Sequence, residues 1–164
     1  MRWTSASTQW TLNVACLAVA IFALRQVTGS TKKDATPDLA PGSVLGLIGV
    51  DWSASDCTLV IAVRPGCGWC TASASFYREL QHLSSNSNLH LLAISPDGVG
   101  ATRDYLDSLG VRIADVRQVD FEPVGIEATP TLVSVNQKGR ITRLWVGKLS
   151  PEKEREVFAS AKLR

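Results

Sequence analysis

The sequence predicts an α/β fold: a mixed central sheet with helices on both faces and a βα insertion, preceded by an N-terminal hydrophobic helix. Three observations carry this. Residues 57–63 read CTLVIAV, a continuous apolar run rich in branched side chains, as in a strand buried on both faces. Phe76, Leu80 and Leu83 follow at i, i+4 and i+7, with Tyr77 beside them, the period of a helix. Further on, TLVSV and ITRLWV flank the turn NQKG, the signature of a β-hairpin.

The elements follow in order. Residues 14–24, VACLAVAIFAL, are eleven apolar residues in a row. A spanning helix wants about 20 predominantly apolar residues, and a signal-peptide core about 7–15. Trp3 and Trp10 on the leading flank suit a membrane interface. We read residues 1–29 as an uncleaved signal-anchor, with a cleaved signal peptide as the second reading. Cys16 is a small apolar residue within that run. Residues 30–43, STKKDATPDLAPGS at their fullest extent, are polar and proline-bearing and read as a flexible tether. Residues 44–164 form the folded domain.

Within that domain, Arg64-Pro65-Gly66 breaks the first strand, and a helix runs from Cys67 to the polar stretch SSNSN at 84–88. LHLLAI, residues 89–94, is a second strand, closed by Ser95-Pro96-Asp97-Gly98. A short helix spans 101–109, with Tyr105, Leu106 and Leu109 on one face and Gly110 at its C-terminal end. Residues 111–121 are irregular, with room for one strand. After the hairpin, Ser150 caps a last helix with Pro151 at its first position, packed down by Val157, Phe158 and Ala161.

The chain has 164 residues, 45% hydrophobic and 20% charged, which suits one packed domain and not a disordered chain. The net charge is only +2. The basic excess lies in Arg2, Arg25, Lys32 and Lys33 against Asp34 and Asp38, so the domain itself is neutral. That excludes the basic face a nucleic acid requires. Four cysteines do not make a disulfide scaffold.

Only Cys67 and Cys70, in RPGCGWCTAS, are close in sequence. Three readings are open: metal ligands, a structural staple, or a reversible redox pair. A structural zinc site needs four ligands, and Cys57, His82 and His90 stand at no ligand spacing from the pair. A staple closing so small a loop gains little. The redox reading has a mechanism. Cys67 ends a strand and opens a helix, where unpaired N–H groups and the helix dipole favour the thiolate, the attacking species. Cys70, one turn on, can resolve the mixed disulfide that Cys67 forms. Arg64 would add positive potential.

At this point the sequence resembles the thioredoxin superfamily. The likeness rests on the strand CTLVIAV, the motif Cys67-Gly68-Trp69-Cys70, and Gly125-Ile126-Glu127-Ala128-Thr129-Pro130-Thr131 before the hairpin. The βα insertion at 89–110 is closest to membrane-tethered proteins of the TlpA and ResA type. The resemblance implies a cis Thr129–Pro130 bond lying against the two sulfurs and a backbone ledge at Thr129 for an extended substrate. It implies that Cys67 is the nucleophile and Cys70 the resolving thiol. Trp69, Thr129 and Pro130 would contact the substrate.

The sequence also departs from that family. Gly66 stands where thioredoxin carries a Trp, and the Trp sits inside the motif as Trp69. Ile61 replaces the buried acid six residues before the first cysteine, and Ser73 replaces the Glu that tethered reductases carry after the second. The peroxiredoxin pattern is absent around Cys67.

The implied protein is a thiol-disulfide oxidoreductase acting on protein thiols and disulfides, exchanging electrons with a redox partner protein. It would be a monomer with no dissociable cofactor, no metal and no nucleic acid. It would be membrane-anchored by its N-terminal helix and face the periplasm or another extracytoplasmic space. The flanking charges alone place the domain on the cytoplasmic side; the redox pair argues for the oxidising side. The alternative is a non-catalytic thioredoxin-like binding module for client or assembly proteins. Among the remaining residues, Trp52 and Trp145 read as core, His82 and His90 as surface, Cys57 as a passive core thiol, and Asp97 and Asp120 as turn residues.

Overall fold

The computed structural model describes residues 39–162. The predicted N-terminal anchor and most of the tether lie outside the described residues. Among the described residues, no helix is long and apolar enough to cross a membrane.

Five strands form one sheet: β1 (Cys57–Ala62), β2 (Leu89–Ser95), β3 (Asp115–Gln118), β4 (Thr131–Asn136) and β5 (Ile141–Val146), in the order β3-β2-β1-β4-β5. The strand β1 is central and pairs parallel with β2 and antiparallel with β4. β3 joins β2 in parallel, and β5 closes the antiparallel hairpin with β4. The mixed sheet is therefore as the sequence predicts. All six residues of β1 are buried, which is why its sequence shows no alternation.

Among the described residues, four α-helices accompany the sheet: α1 (Gly68–Thr71), α2 (Ala74–Ser85), α3 (Val99–Ser108) and α4 (Pro151–Lys162). The expectation of helices on both faces is corrected. Buried residues of α1 to α4, among them Cys70, Phe76, Tyr77, Leu80, Leu106 and Val157, all join one core with Leu59, Ile61 and Val63. The other core, around Val60, Ala62, Leu92, Ile94 and Val133, is covered by Leu39, Leu45, Leu47 and Trp52 and by Phe121, Val124 and Ile126, none in an α-helix. The cause is the strand order. The chain steps β1 to β2 to β3 in one direction across the sheet, and right-handed crossovers then place both connections on the same face.

Local chemistry sets the ends. Gly110 has φ +69, as predicted for a glycine just past a helix. Its N–H donates to Asp107 O (2.9 Å) and that of Val111 to Leu106 O (2.9 Å), the two bonds of a Schellman ending. In the hairpin turn, Asn136 Oδ1 accepts from the N–H groups of Lys138 (3.0 Å) and Arg140 (3.1 Å). Ser150 O accepts from Glu154 N–H (2.9 Å) at the start of α4.

Three smaller expectations change. The end of the predicted tether is engaged with the domain: Leu39 packs on the second core, and Gly42 N–H donates to Ile141 O (2.8 Å). His90 is half-buried and meets Asp115 (3.3 Å) and Thr58 (3.4 Å), whereas His82 is exposed as expected. Trp145 is buried, but Trp52 sits half-exposed on a short 3-10 turn.

Candidate functional site

The site stands at the C-terminal end of β1. Pro65 and Gly66 turn the chain, Gly66 taking φ +79, and Cys67 N–H donates to Arg64 O (3.1 Å) to close the turn. Proline second and a positive-φ glycine third is the chemistry that such a turn demands. A tryptophan in place of Gly66 would not adopt that backbone readily.

The helix predicted to run unbroken from Cys67 is two helices. α1 is a single turn capped by Cys67, and the chain leaves helical geometry at Ser73 (φ −97°, ψ 6°) before α2 begins. Two side chains bond back one turn to helix carbonyls: Thr71 Oγ1 to Cys67 O (3.2 Å) and Ser73 Oγ to Trp69 O (2.9 Å). Such back-bonding bends helices. The dipole of a long helix is therefore not aimed at Cys67. What faces its sulfur is one definite donor, the Cys70 N–H, at 3.1 Å.

Cys67 and Cys70 form a disulfide, with Cα atoms 5.2 Å apart. The two sulfurs differ in access: Cys67 is half-buried, while Cys70 is 0% exposed and lies in the helix-side core. The Thr129–Pro130 bond is cis, and Thr129 O lies 3.5 Å from Cys67 Sγ. Pro130 is buried, and its carbonyl accepts from Gly147 N–H (2.7 Å). The Thr129 N–H makes no hydrogen bond among the described residues. The structure thus brings together Cys67, Cys70, Thr129 and Pro130, which stand some sixty residues apart in the chain.

Trp69 is 64% exposed. With Gly147, Lys148, Leu149 and Ser150 it lines an open cleft of about 420 Å³. Val146, at the end of β5, is also exposed.

No carboxylate hydrogen-bonds either cysteine among the described residues. Ile61 is buried in the same core as Cys70, and Ser73 spends its proton on Trp69 O. The first buried polar group on α2 is Tyr77, whose hydroxyl has no hydrogen-bond partner among the described residues. Burial pushes the Tyr77 phenol well above its ordinary range. Arg64 does not turn its charge on Cys67. Its guanidinium holds Asp97 (3.0 and 3.3 Å) and lowers that carboxyl below its usual range. Cys57 lies at the other end of β1, its thiol 3.4 Å from the Ser134 hydroxyl. No group of His, Cys, Asp and Glu side chains able to hold a metal occurs among the described residues.

Sequence reasoning missed three contributors, Thr71, Tyr105 and Asp97. Thr71 Oγ1 and Tyr105 Oη are 3.0 Å apart, and Tyr105 Oη lies 3.4 Å from Cys67 O. Tyr105 was read only as a face residue of α3, and no spacing signal links it to a residue 38 positions away. Asp97 was read as a turn residue, and its ion pair with Arg64 has no signature in the sequence either.

The strand order, the cysteine pair after β1 and the cis proline before β4 make this a thioredoxin-like fold, and solved structures agree. The thioredoxin domain of a thiol-disulfide oxidoreductase from Bacteroides vulgatus matches with a TM-score of 0.59 at 17% identity, covering 76% of this chain and 99% of that one. A thiol:disulfide interchange protein from Bacteroides sp. matches at 0.58 and 16% identity, over 75% of this chain and 91% of that one. StoA from Bacillus subtilis matches at 0.50 and 14% identity, over 62% and 81%. No protein-family model matches the sequence, and no curated protein does.

Proposed function

We propose that the chain is a thiol-disulfide oxidoreductase acting on protein thiols and disulfides. One observation carries the reading: a disulfide with one accessible and one fully buried sulfur, set beside an open backbone N–H at Thr129. That is the asymmetry exchange chemistry needs. In the reducing direction, the Cys67 thiolate attacks a substrate disulfide, forming the mixed disulfide and releasing one substrate thiolate. Cys70, deprotonated, then attacks Cys67 Sγ and releases the second thiolate. Two electrons pass to the substrate and the Cys67–Cys70 disulfide closes. The oxidising direction is the same sequence reversed. Cys70 N–H aimed at Cys67 Sγ stabilises the charge on the leaving or attacking sulfur.

Thr129 and Pro130 form the ledge on which an extended substrate pairs by its backbone, and Trp69 packs over the substrate beside the cleft at 147–150. The N-terminal segment 1–29 anchors the protein to the membrane, residues following it act as a tether, and the domain faces an extracytoplasmic compartment. The similar structures, a domain of a thiol-disulfide oxidoreductase and a thiol:disulfide interchange protein, support this reading.

The test is the equilibrium of the purified chain with glutathione and dithiothreitol buffers, followed by Trp69 fluorescence. A midpoint near the thioredoxin value of about −270 mV marks a reductant, and one near the DsbA value of about −120 mV an oxidant. If the chain equilibrates with neither buffer, the reading is lost. Replacing both Cys67 and Cys70 by Ser separates the binding-module alternative: client binding that survives intact would favour it.

A further inference from the structure

We propose that Tyr105, acting through Thr71, is a positioning residue that holds the Cys67 turn in shape when the disulfide is open. The inference rests on the Cys67–Cys70 pair cycling between disulfide and dithiol, as argued above.

α1 has only four residues and ends at a break. A single helical turn does not hold itself, because nucleation fixes several dihedrals for one hydrogen bond. In the oxidised protein the disulfide closes this turn covalently. In the reduced protein hydrogen bonds and the burial of Cys70 hold it. Besides Ala72 N–H to Gly68 O and Ser73 Oγ to Trp69 O, three groups gather at one atom, Cys67 O: Thr71 N–H (3.0 Å), Thr71 Oγ1 (3.2 Å) and Tyr105 Oη (3.4 Å). Counting hydrogens orders the set. Thr71 donates its single hydroxyl hydrogen to Cys67 O. Tyr105 then donates to Thr71 Oγ1 at 3.0 Å, the shorter of its two contacts. Such a chain polarises along its length.

Tyr105 also comes from elsewhere in the fold. It sits on α3, in the βα insertion, and is half-exposed. Among the described residues, its hydroxyl makes the only side-chain hydrogen bond that reaches the Cys67–Thr71 turn from another helix or strand. Holding Cys67 O fixes the turn, and the turn is what aims Cys70 N–H at Cys67 Sγ. The phenol's bond is made in full in the disulfide form and only in dithiol molecules whose turn is formed, so it helps hold the turn in the dithiol and favours the disulfide overall.

The test compares the full-length chain with Tyr105→Phe, each melted oxidised and after reduction with dithiothreitol. No substrate or turnover is involved, so a protein without oxidoreductase activity still gives an answer. The removed hydroxyl is expected to lower the Tm of the oxidised form more than that of the reduced form, in which the turn already opens part of the time. The equilibrium constant for reduction should rise by up to about threefold to tenfold, the worth of one ordinary hydrogen bond. Thr71→Val should repeat the effect, Thr71→Ser should keep the wild-type value, and the Tyr105→Phe/Thr71→Val double variant should add little to either single change. A Tm loss equal in both redox states, or additive single changes, would overturn the proposal and leave Tyr105 as an ordinary packing residue.

Discussion

The two ends of β1 each present a cysteine, and they are opposite in character. Cys57, at the start, is buried within a completed ladder, paired with Leu89 on one side and Asn136 on the other. Its thiol has a quiet neighbour, the Ser134 hydroxyl. Cys67, past the other end, sits where the ladder stops and a one-turn helix begins. Its sulfur faces a backbone N–H and a carbonyl, and it is partly open to solvent. The same side chain is a piece of core at one end and a reactive group at the other. The difference is made by what the backbone leaves unpaired beside it.

The sharpest way to break this comparison is to remove each thiol in turn. Cys67→Ser should abolish exchange with a protein disulfide, a loss of at least about a thousandfold, since the nucleophile itself is gone. Cys57→Ala should leave the exchange rate within about twofold and lower stability by about 1 kcal/mol, the scale of a small core truncation. Stopped-flow exchange rates and denaturant unfolding read the two effects. An exchange defect in Cys57→Ala would mean that the two ends of the strand are not independent.

A smaller effect is expected at Trp69. Trp69→Ala should raise the KM for a protein disulfide several-fold with kcat nearly unchanged, if the exposed ring packs on the partner as proposed and not on the reacting sulfurs. Exchange with glutathione, which is too small to fill the cleft, should change less. A fall in kcat with KM unchanged would place the indole in the chemistry instead.

The smallest effect concerns the ion pair that borders the site. Arg64 lowers the Asp97 pKa below its ordinary 3.8. A carboxyl with a depressed folded-state pKa contributes stability that is present above its unfolded value and is lost as pH falls through the folded one. Arg64→Gln should therefore lower Tm slightly at pH 7, and the two proteins should converge near pH 2. Both groups are exposed, so salt should erase most of the difference. A gap that persists in strong acid would assign the loss to something other than this pair.

Much of this was legible before the fold was seen. β1 announces itself as seven apolar residues, and the hairpin by the polar turn NQKG between two β-rich runs. Cys67 and Cys70 stand out as a local pattern, whereas Thr129 and Pro130 come into view only through the resemblance to the thioredoxin superfamily. The helix break could not be picked out. Only the bonds of Thr71 and Ser73 back to Cys67 O and Trp69 O show why the helix ends early. Helices on both faces was a default, and it failed because strand order is a long-range property that no window of residues carries. Tyr105 was visible as a helix-face residue, but which turn its hydroxyl reaches depends on where the whole insertion lands.

The attachment of residues 42–45 sets where the chain enters the domain. Gly42 and Leu45 are zipped to Ile141 and Gly139, beside the β4–β5 turn. That turn adjoins Asn136, the residue opposite Cys57, so the chain enters the domain at the quiet end of β1. The length of a six-residue strand, about 20 Å, separates this entry from the disulfide end. The domain thus keeps the attachment of residues 42–45 and its disulfide at opposite ends of one strand.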